Sequence, residues 1–299
     1  MNLEWRSFCK KENKMETVHK TQLVYNHFNE NAKWRIIEWE KKKYTSLNRQ
    51  YYVTLGDVND PDAITMFMGD HKGGILKKEH QHWDVHNGAE IVLQLVEGNM
   101  HWYTGPTHAV ANNRPGDFPE EEQVWITKPG EGVIFPAGVP HSVDPVALLP
   151  DDNSMVVLYS PARGSSFPIP ENPEAPHKIE FTGRSFGEKG SIKFFDYGAW
   201  RCTSFDFRAG FLPKEPKTLA QNDFDAYVFS VRGQFEFWFD PDNQVEKMTI
   251  YPWDGMYSPQ GLPHYGRQLG DWMGVVLTRH DDKTARRLEP EDWEKIIMG

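Results

Sequence analysis

The sequence predicts an all-β protein with two similar halves, and three observations lead to this fold class. The apolar segments are short, rich in Val, Ile, Phe, Trp and Tyr, and separated by Gly or Pro, as is typical of strands in a β-sandwich or β-barrel. A proline-rich stretch lies near the middle of the chain, and one turn sequence occurs on each side of it. Helical patterns occur mainly at the ends: 289–297 predicts a short C-terminal helix, because Pro290 stands just inside its start among acidic residues, and the stretch around 20–45 is a second helix candidate. The clearest strand candidates are residues 91–98, 123–127, 154–160, 226–233 and 234–240.

The proline-rich stretch SSFPIPENPEAP, residues 165–176, contains four prolines and few apolar side chains. This composition suits an extended, solvated connection between two domains. We therefore expect an N-terminal extension over 1–49, a first domain over 50–170 and a second domain over 171–299.

The internal repeat pairs GVIFPAGVPH, residues 132–141, with GMYSPQGLPH, residues 255–264, and the two copies lie 123 residues apart. Upstream, EIVLQLVEG (90–98) matches DAYVFSVRG (225–233) at a separation of 135 residues. The first half therefore has the longer intervening loop, which we place within 104–122. In each copy Gly and Pro fix a tight bend that delivers the following histidine to a set place. One small β-unit thus occurs twice.

Charge and cysteine content exclude several classes of protein to which the chain could belong. The chain has 33 basic and 43 acidic residues, a net charge of -10, which argues against nucleic-acid binding through clustered Lys and Arg. It lacks the apolar run of a membrane span and the apolar start of a secretory signal. Two cysteines, Cys9 and Cys202, are too few for a disulfide framework or a cysteine-based zinc site. We expect a cytoplasmic protein that acts on a small molecule, with a possible homodimer formed through edge strands.

A candidate metal site lies in the first half, where five of the twelve histidines fall between residues 71 and 101. His80 and His82 would project to the same side of a strand, because side chains alternate between its faces. Asn87-Gly88 is a strong hairpin signal, so Glu90 would begin the returning strand beside them. Imidazoles with one carboxylate suit Fe(II), Mn(II), Zn(II), Ni(II) or Co(II) and leave open positions for substrate or dioxygen. His141, on the bend described above, would supply a further ligand.

These residues resemble the two motifs of the cupin superfamily. GILKKEHQH (74–82) followed by Glu90 and Gly98 is similar to the first motif, and GEGVIFPAGVPH (130–141) fits the second. The resemblance covers most of the chain and implies a bicupin, in which two jelly-roll β-barrels follow one another and the metal lies inside the barrel.

The spacing of the first motif departs from the family pattern and leaves its ligands open. Seven residues separate His82 from Glu90, where the family has three or four. A bulge or a wider hairpin loop could absorb the extra residues. Alternatively the register slides, so that Asp84 and His86 precede Glu90 at the family spacing, or His82 pairs with Asp84. Glu90 belongs to every register, as does His141. The full set of candidate metal ligands is His80, His82, His86, Glu90 and His141.

The second half has no comparable set of ligands. It retains Asp225 and His264 at the repeated positions, but residues 218–225 contain no histidine. We expect a degenerate site there, in a barrel that closes an interface or supports the first.

Strand alternation predicts which other side chains face the metal. Glu90, Val92 and Gln94 would share the interior face, and we expect Gln94 and Trp102 to bind substrate. Tyr159 and Arg163 are the predicted catalytic residues, with Arg163 pairing a substrate carboxylate. Such an apolar, aromatic interior suits a planar or aromatic substrate and excludes water.

Three functions follow from this site. The leading hypothesis is an Fe(II)-dependent dioxygenase, an oxidoreductase, that acts on a small hydroxylated or aromatic compound. The alternative is a redox-neutral isomerase, decarboxylase or lyase that uses Mn(II) or Zn(II), with Tyr159, His101 or Asp84 as general acid or base. The third is a bicupin that binds a metal or ligand without catalysis, because a fold alone does not decide function.

Overall fold

The computed structural model describes residues 35–37, 40–41, 49–71, 83–95, 100–105, 123–143, 153–212, 225–239, 246–252, 254–258, 260–279, 289 and 292. More than half of them lie in antiparallel strands and most of the others in the loops and turns between strands, which confirms the predicted all-β class. The strands form two large and two small sheets.

The first half contains one large and one small sheet. The large sheet has the order β11 (His177–Glu180), β8 (Glu131–Phe135), β5 (Ala89–Gln94), β10 (Asn153–Ser160), β4 (Ile64–His71), β3 (Arg49–Leu55) and β2 (Glu40–Lys41). The small sheet has the order β7 (Gln123–Thr127), β6 (Met100–Thr104) and β9 (His141–Val143).

The second half repeats this arrangement. Its large sheet has the order β1 (Arg35–Ile37), β18 (Gly255–Ser258), β15 (Ala226–Arg232), β20 (Trp272–Arg279), β14 (Trp200–Phe207), β13 (Gly190–Tyr197) and β12 (Thr182–Ser185), with a 3₁₀ turn at Gly187–Lys189. Its small sheet has the order β17 (Glu246–Ile250), β16 (Phe235–Phe239) and β19 (His264–Gln268).

The internal repeat occupies equivalent strands in the two halves. β5 lies between β8 and β10, just as β15 lies between β18 and β20. The repeated bend ends where the third strand of each small sheet begins, at His141 in β9 and at His264 in β19. The two copies of the sequence pattern therefore build the same β-unit.

One strand from each side joins the sheet of the other half. β1, near the N-terminus, pairs with β18, whereas β11 follows the proline-rich stretch and pairs with β8. β1 lies before the predicted limit at residue 49 and β11 lies after the one at residue 170, so both strands pair outside their predicted domains. The domain limits stay a prediction.

Three apolar clusters form the core. The largest lies between the large sheets and joins Ile91 and Leu93 of β5 to Trp200, Tyr227 and Phe229 of the second half. Val92, which points to the opposite face of β5, belongs instead to a cluster inside the first barrel. That cluster consists of Phe67, Val92, Trp102, Val133, Phe135, Val139 and Tyr159. β5 is thus buried on both faces, with one face toward the barrel interior and one toward the second half.

Aromatic rings fill the interior of the second barrel. Phe207, Phe235, Phe237 and Trp272 belong to its apolar cluster, and the Phe235 and Trp272 ring centroids are only 4.2 Å apart. Such close ring contacts add to the stability gained from burial of the rings. This filling favours a supporting role for the second barrel.

The predicted C-terminal helix lies outside the described residues except for Glu289 and Asp292. The Asp292 N–H donates to the Glu289 carbonyl at 2.9 Å, and the Glu289 N–H donates to the Asp292 carboxylate at 3.2 Å. The second of these bonds, from a backbone N–H to the side chain three residues later, is one half of the capping box found at helix starts. Within the described part of the chain, no helix has the length and apolar character needed to span a membrane.

Cys202 is expected to be inert in the folded protein. Its side chain is buried in β14, and burial raises the pKa of the thiol to about 12. Because only the thiolate is nucleophilic, a Cys9→Ser variant should react with an aromatic disulfide reagent at pH 8 no faster than it unfolds. Absorbance of the released thiolate, followed with and without denaturant, measures this. Rapid reaction in the absence of denaturant would contradict the burial of Cys202.

Candidate metal centre

Two histidines and one glutamate meet inside the first barrel. The Glu90 carboxylate oxygen Oε2 lies 2.9 Å from His86 Nε2 and 2.9 Å from His141 Nε2. One nitrogen or oxygen from each residue lies within 4.8 Å of those from the other two, a grouping that recurs nowhere else among the described His, Cys, Asp and Glu residues. The Glu90 and His141 side chains are buried, whereas that of His86 is 13% exposed. Solvent therefore reaches the group from the His86 side.

Backbone hydrogen bonds hold the two turns that carry these residues. Asp84 and His141 exchange N–H···O=C bonds of 2.8 and 3.0 Å, although they are far apart in sequence. The Gly138 N–H donates to the His86 carbonyl at 2.8 Å. Gly138 has φ +84°, a conformation that favours glycine, so the repeated Gly of the bend is required here. The bend therefore places His141 and at the same time anchors His86.

The turn before Glu90 also requires its glycine. A Cβ on Gly88 would lie 2.5 Å from the carbonyl oxygen of Pro161. Gly88 thus serves a close backbone approach. The hairpin that the sequence predicts at Asn87-Gly88 is not formed by the described residues, because β5 pairs with β8 and β10 and Asp84 bridges to His141 instead.

Hydrogen bonding and stacking orient the His141 ring. Its Nδ1 lies 2.9 Å from the Val139 carbonyl and donates to it, which leaves Nε2 for Glu90. The Phe135 ring stacks on it at 4.5 Å between centroids, with an angle of 2° between the planes. Phe135 is a neighbour of the site that the sequence analysis missed, since a Phe in a β-strand usually indicates ordinary core packing.

Electrostatic coupling shifts the pKa values of Glu90 and His141 in opposite directions. Burial raises the pKa of Glu90, but the charge of His141 and hydrogen bonds from His141 and His86 outweigh this and hold it well below its usual range. Burial lowers the pKa of His141, but the Glu90 charge and hydrogen bond, the Val139 carbonyl and the nearby Asp84 charge together raise it. Without a metal, this coupling favours a Glu90 carboxylate paired with a protonated His141.

Metal binding at this site is expected to depend on pH above the ordinary histidine range. A metal ion displaces the proton that His141 holds, so binding releases a proton and weakens as the pH falls. Because the pKa of His141 is raised above 6.5, the Mn(II) affinity should still increase as the pH rises from 6.5 to 8. Calorimetric titrations across this range test the expectation. An affinity that is already constant from pH 6.5 upward would contradict it.

The metal-ligand candidates divide into two groups. His86, Glu90 and His141 come together, as described above. His80 and His82 lie outside the described residues, so their predicted role remains a prediction.

The predicted catalytic residues lie on the open side of the group. The Tyr159 ring meets the His86 ring edge-on at 5.1 Å, and the Arg163 guanidinium lies 5.5 Å from the Tyr159 ring centroid. Arg163 is exposed, whereas Tyr159 belongs to the apolar cluster of the first barrel. Arg163 therefore stands at the rim of the site, and Tyr159 lies between it and the ligand candidates.

The predicted substrate-binding residues lie deeper. Trp102 packs against Phe135 at 5.7 Å between ring centroids, and its buried indole N–H has no hydrogen-bond partner among the described residues. Gln94 is buried and accepts a hydrogen bond of 2.9 Å from the Thr127 hydroxyl. It lies four residues beyond Glu90 on the same face of β5, or about 13 Å along the strand. Trp102 is therefore much better placed than Gln94 to touch a molecule at the centre.

His101 faces away from this centre. It is adjacent to Trp102 in β6, and its partner across the ladder is the exposed Ile126 of β7. Because neighbouring residues of a strand point to opposite faces, the inward Trp102 places His101 on the outer face. The expectation that His101 acts as a general acid or base is wrong for this geometry.

The donor set of the first barrel fits a divalent metal ion. A carboxylate and two imidazole nitrogens converge, and the Asp84 carboxylate is near enough to act on the charge of His141. Nitrogen and oxygen donors of this kind suit Mn(II), Fe(II) and similar ions.

The equivalent place in the second barrel lacks such a set. His264 donates from Nδ1 to the Leu262 carbonyl at 2.8 Å, as His141 does to Val139. The Asp225 carboxylate, however, accepts a bond of 2.9 Å from the Gln260 N–H and so caps the bend. Burial lowers the pKa of His264. Within the described part of the second half, no third ligand joins these two residues.

Comparison with known proteins supports the fold without identifying a sequence relative. No family model matches the chain, and no curated protein matches it in sequence. Among solved structures, it is similar to the Bacillus subtilis oxalate decarboxylase studied for its Mn(II) centres, with a TM-score of 0.52 and 11% identity over 86% of this chain and 79% of the other. It is also similar to the Lactobacillus farciminis oxalate decarboxylase in its formate complex, with a TM-score of 0.52 and 11% identity over 88% and 90%.

At this level of identity the likeness concerns the fold alone, and both of these structures are bicupins. The paired sheets, the repeated β-unit and the His–Glu–His group inside the first barrel agree with that architecture. The chain therefore has the bicupin fold, two jelly-roll barrels of the cupin type in tandem.

Proposed function

We propose that this protein is a redox-neutral bicupin enzyme that binds Mn(II) in its first barrel and removes a carboxylate group from a small organic acid. The observation that carries the proposal is the buried group of His86, Glu90 and His141. Asp84 is proposed as a fourth ligand, because its charge acts on His141 and its backbone pairs with that residue. In this proposal the register slides, and Asp84 takes the place of the family's first histidine.

The comparisons support this alternative better than the leading expectation of an Fe(II) dioxygenase. The structural neighbours are decarboxylases, and one of them was studied for its Mn(II) centres. Imidazole and carboxylate donors suit Fe(II) and Mn(II) alike, so the ligands do not choose between them. Neither iron nor a dioxygenase activity finds support in these neighbours.

Residues around the group have distinct proposed tasks. A bound ion would supply a Lewis acid that polarises a substrate oxygen. Arg163 would pair with a substrate carboxylate at the rim, where its guanidinium is exposed. When the C–C bond to the departing CO₂ breaks, its electron pair stays on the substrate carbon, and the Tyr159 hydroxyl would give that carbon a proton. Phe135 and Val133 would keep water away from it.

Trp102 is proposed to recognise the end of the substrate that points into the barrel. A buried N–H without a partner costs about 1–3 kcal/mol, so a substrate oxygen that accepts its hydrogen bond would bind favourably. The surrounding side chains are apolar, which favours an acid with an apolar body. Gln94, farther along β5, would contact only a longer substrate.

An Fe(II) dioxygenase is the second candidate function, because the apolar cluster around Trp102 and Phe135 also suits an aromatic substrate and a dry site. Metal analysis of the purified protein, followed by assays of CO₂ release and oxygen uptake, separates the candidates. The probes are oxalate, phenylpyruvate and catechol. We expect bound Mn(II) and CO₂ release without net oxygen consumption.

Other outcomes of these assays would reject the proposal. Bound iron with substrate-linked oxygen uptake would support the dioxygenase instead. Absence of any bound metal would leave a bicupin that binds a ligand without metal chemistry. Bound metal and CO₂ release are also compared between His141→Ala and His264→Ala. The second variant is the control, since only His141 belongs to the proposed site.

A further inference from the structure

The segment that follows β10 crosses both turns that carry the His–Glu–His group. We refer to residues 161–170 as the strap. The Asn87 side-chain amide lies next to His86 in sequence and donates to the Ser165 carbonyl at 2.7 Å, the Ser165 hydroxyl at 2.9 Å and the Phe167 carbonyl at 3.1 Å. Two N–H groups are thus shared among three acceptors on the strap.

The strap also touches the second turn. A Cβ on Gly138 would lie 3.1 Å from the Pro170 carbonyl oxygen and 3.2 Å from Ile169 Cγ2. Gly138 in turn donates its N–H to the His86 carbonyl. His86 is therefore held through its own backbone on one side and through Asn87 on the other, and the strap contacts both holders.

A few other hydrogen bonds within the described part of the chain also hold the strap: the Arg163 N–H donates to the Thr65 hydroxyl at 2.9 Å, and the Ser166 hydroxyl donates to Asn59 at 3.3 Å. Most of its side chains are exposed, among them Arg163, Ser166 and Ile169. An exposed segment with few buried apolar contacts has low local stability, so its order depends on a small number of hydrogen bonds. The amide of Asn87, which is partly buried, makes three of these contacts.

We propose that Asn87 is a positioning residue: it clamps the strap and thereby keeps the His86 imidazole directed at Glu90, so that metal binding and strap order are coupled. The inference rests on the proposed metal-binding function. Coupling of this kind is reciprocal, because a metal that needs the ordered turn must also stabilise the strap that orders it. Arg163, at the rim of the site, is itself part of the strap.

The test uses the full-length protein and two readouts. Trypsin cleavage after Arg163, followed by mass spectrometry, reports on strap order with and without Mn(II). Calorimetry and the electron paramagnetic resonance spectrum of bound Mn(II) report on affinity and ligand geometry. The variants are Asn87→Ala and the isosteric Asn87→Asp, whose carboxylate cannot donate to the strap acceptors. Ser166→Ala is the matched control, since the Ser166 hydroxyl donates to Asn59 at 3.3 Å and anchors the strap away from the ligand turns.

We expect Mn(II) to slow cleavage of the wild-type strap. Both Asn87 variants should bind Mn(II) about 10–100-fold more weakly, the usual effect of losing a group that orients a ligand. Their Mn(II) spectrum should change, and Mn(II) should no longer protect the strap. Ser166→Ala should retain the wild-type Mn(II) affinity and spectrum. If any loosening of the strap weakened metal binding, Ser166→Ala would lower the affinity as well.

Mn(II) affinity within twofold of wild type in both Asn87 variants would overturn the proposal. If the wild-type protein binds no Mn(II), the proposed function fails. The hold of Asn87 on the strap is then tested by trypsin cleavage of the metal-free protein alone. Faster cleavage of metal-free Asn87→Asp than of Ser166→Ala would still support it, whereas equal cleavage would overturn the clamp as well.

Discussion

Glu90→Gln is expected to lower the Mn(II) affinity of the protein by more than about 100-fold, because residues that merely orient a ligand already account for about 10–100-fold. Glu90 contacts both imidazoles, because its Oε2 lies 2.9 Å from Nε2 of His86 and 2.9 Å from Nε2 of His141. The amide has nearly the same shape but no charge, so the loss measures the carboxylate itself. Metal content after dialysis and calorimetric titration provide the measurement.

The matched control for Glu90→Gln lies at the repeated position of the second half. Asp225 accepts a hydrogen bond from the Gln260 N–H in the bend of the second half. Asp225→Asn should therefore leave the amount of bound Mn(II) unchanged. Equal loss of Mn(II) in both variants would mean that general destabilisation, rather than a lost ligand, is responsible. Unchanged affinity in Glu90→Gln would remove Glu90 from the site.

Trp200→Ala should cost about 3–5 kcal/mol of the free energy of unfolding, the usual loss for a buried aromatic residue. Trp200 is 2% exposed and lies in the cluster between the two large sheets. Its indole N–H donates to the Asp62 carbonyl of the first half at 2.6 Å. Urea unfolding, followed by circular dichroism, measures the change.

Trp200→Phe separates packing from hydrogen bonding at this position. It keeps an aromatic ring but loses the bond to Asp62, which contributes about 1 kcal/mol, so its loss should be much smaller. Because the cluster joins both halves, Trp200→Ala should also weaken Mn(II) retention at elevated temperature. A loss below about 1 kcal/mol for Trp200→Ala would contradict a shared core, as this is the size of one hydrogen bond.

Strand periodicity and the repeat predict much of the fold. The alternation in β5 correctly separates Glu90 and Val92, which face the barrel interior, from Ile91, which faces the second half. The sequence also indicates that the second half lacks the histidines of a metal site. These features are local in sequence, so a local pattern reveals them.

The choice among His80, His82 and His86 could not be made from spacing. A hairpin loop can absorb extra residues, so counting along the chain leaves the register open. The pairing of Asp84 with His141 places the turn, and this contact joins residues 57 positions apart. The clamp of Asn87 on Ser165 is equally long-range, and an Asn before Gly predicts only a turn.

The sequence alone also could not predict that β1 and β11 each join the sheet of the other half. Both strands are short, and their pairing partners are decided by the surrounding sheets rather than by their own residues. The nature of the metal is a further gap, because the same donors bind several divalent ions.

Anomalous diffraction from crystals grown with Mn(II) locates the bound metal and identifies its ligands. We predict one strong manganese peak inside the first barrel, coordinated by His86, Glu90 and His141 with Asp84 as the proposed fourth ligand, and none beside His264. A peak held by other residues without His86, or no peak inside the first barrel at saturating Mn(II), would contradict it.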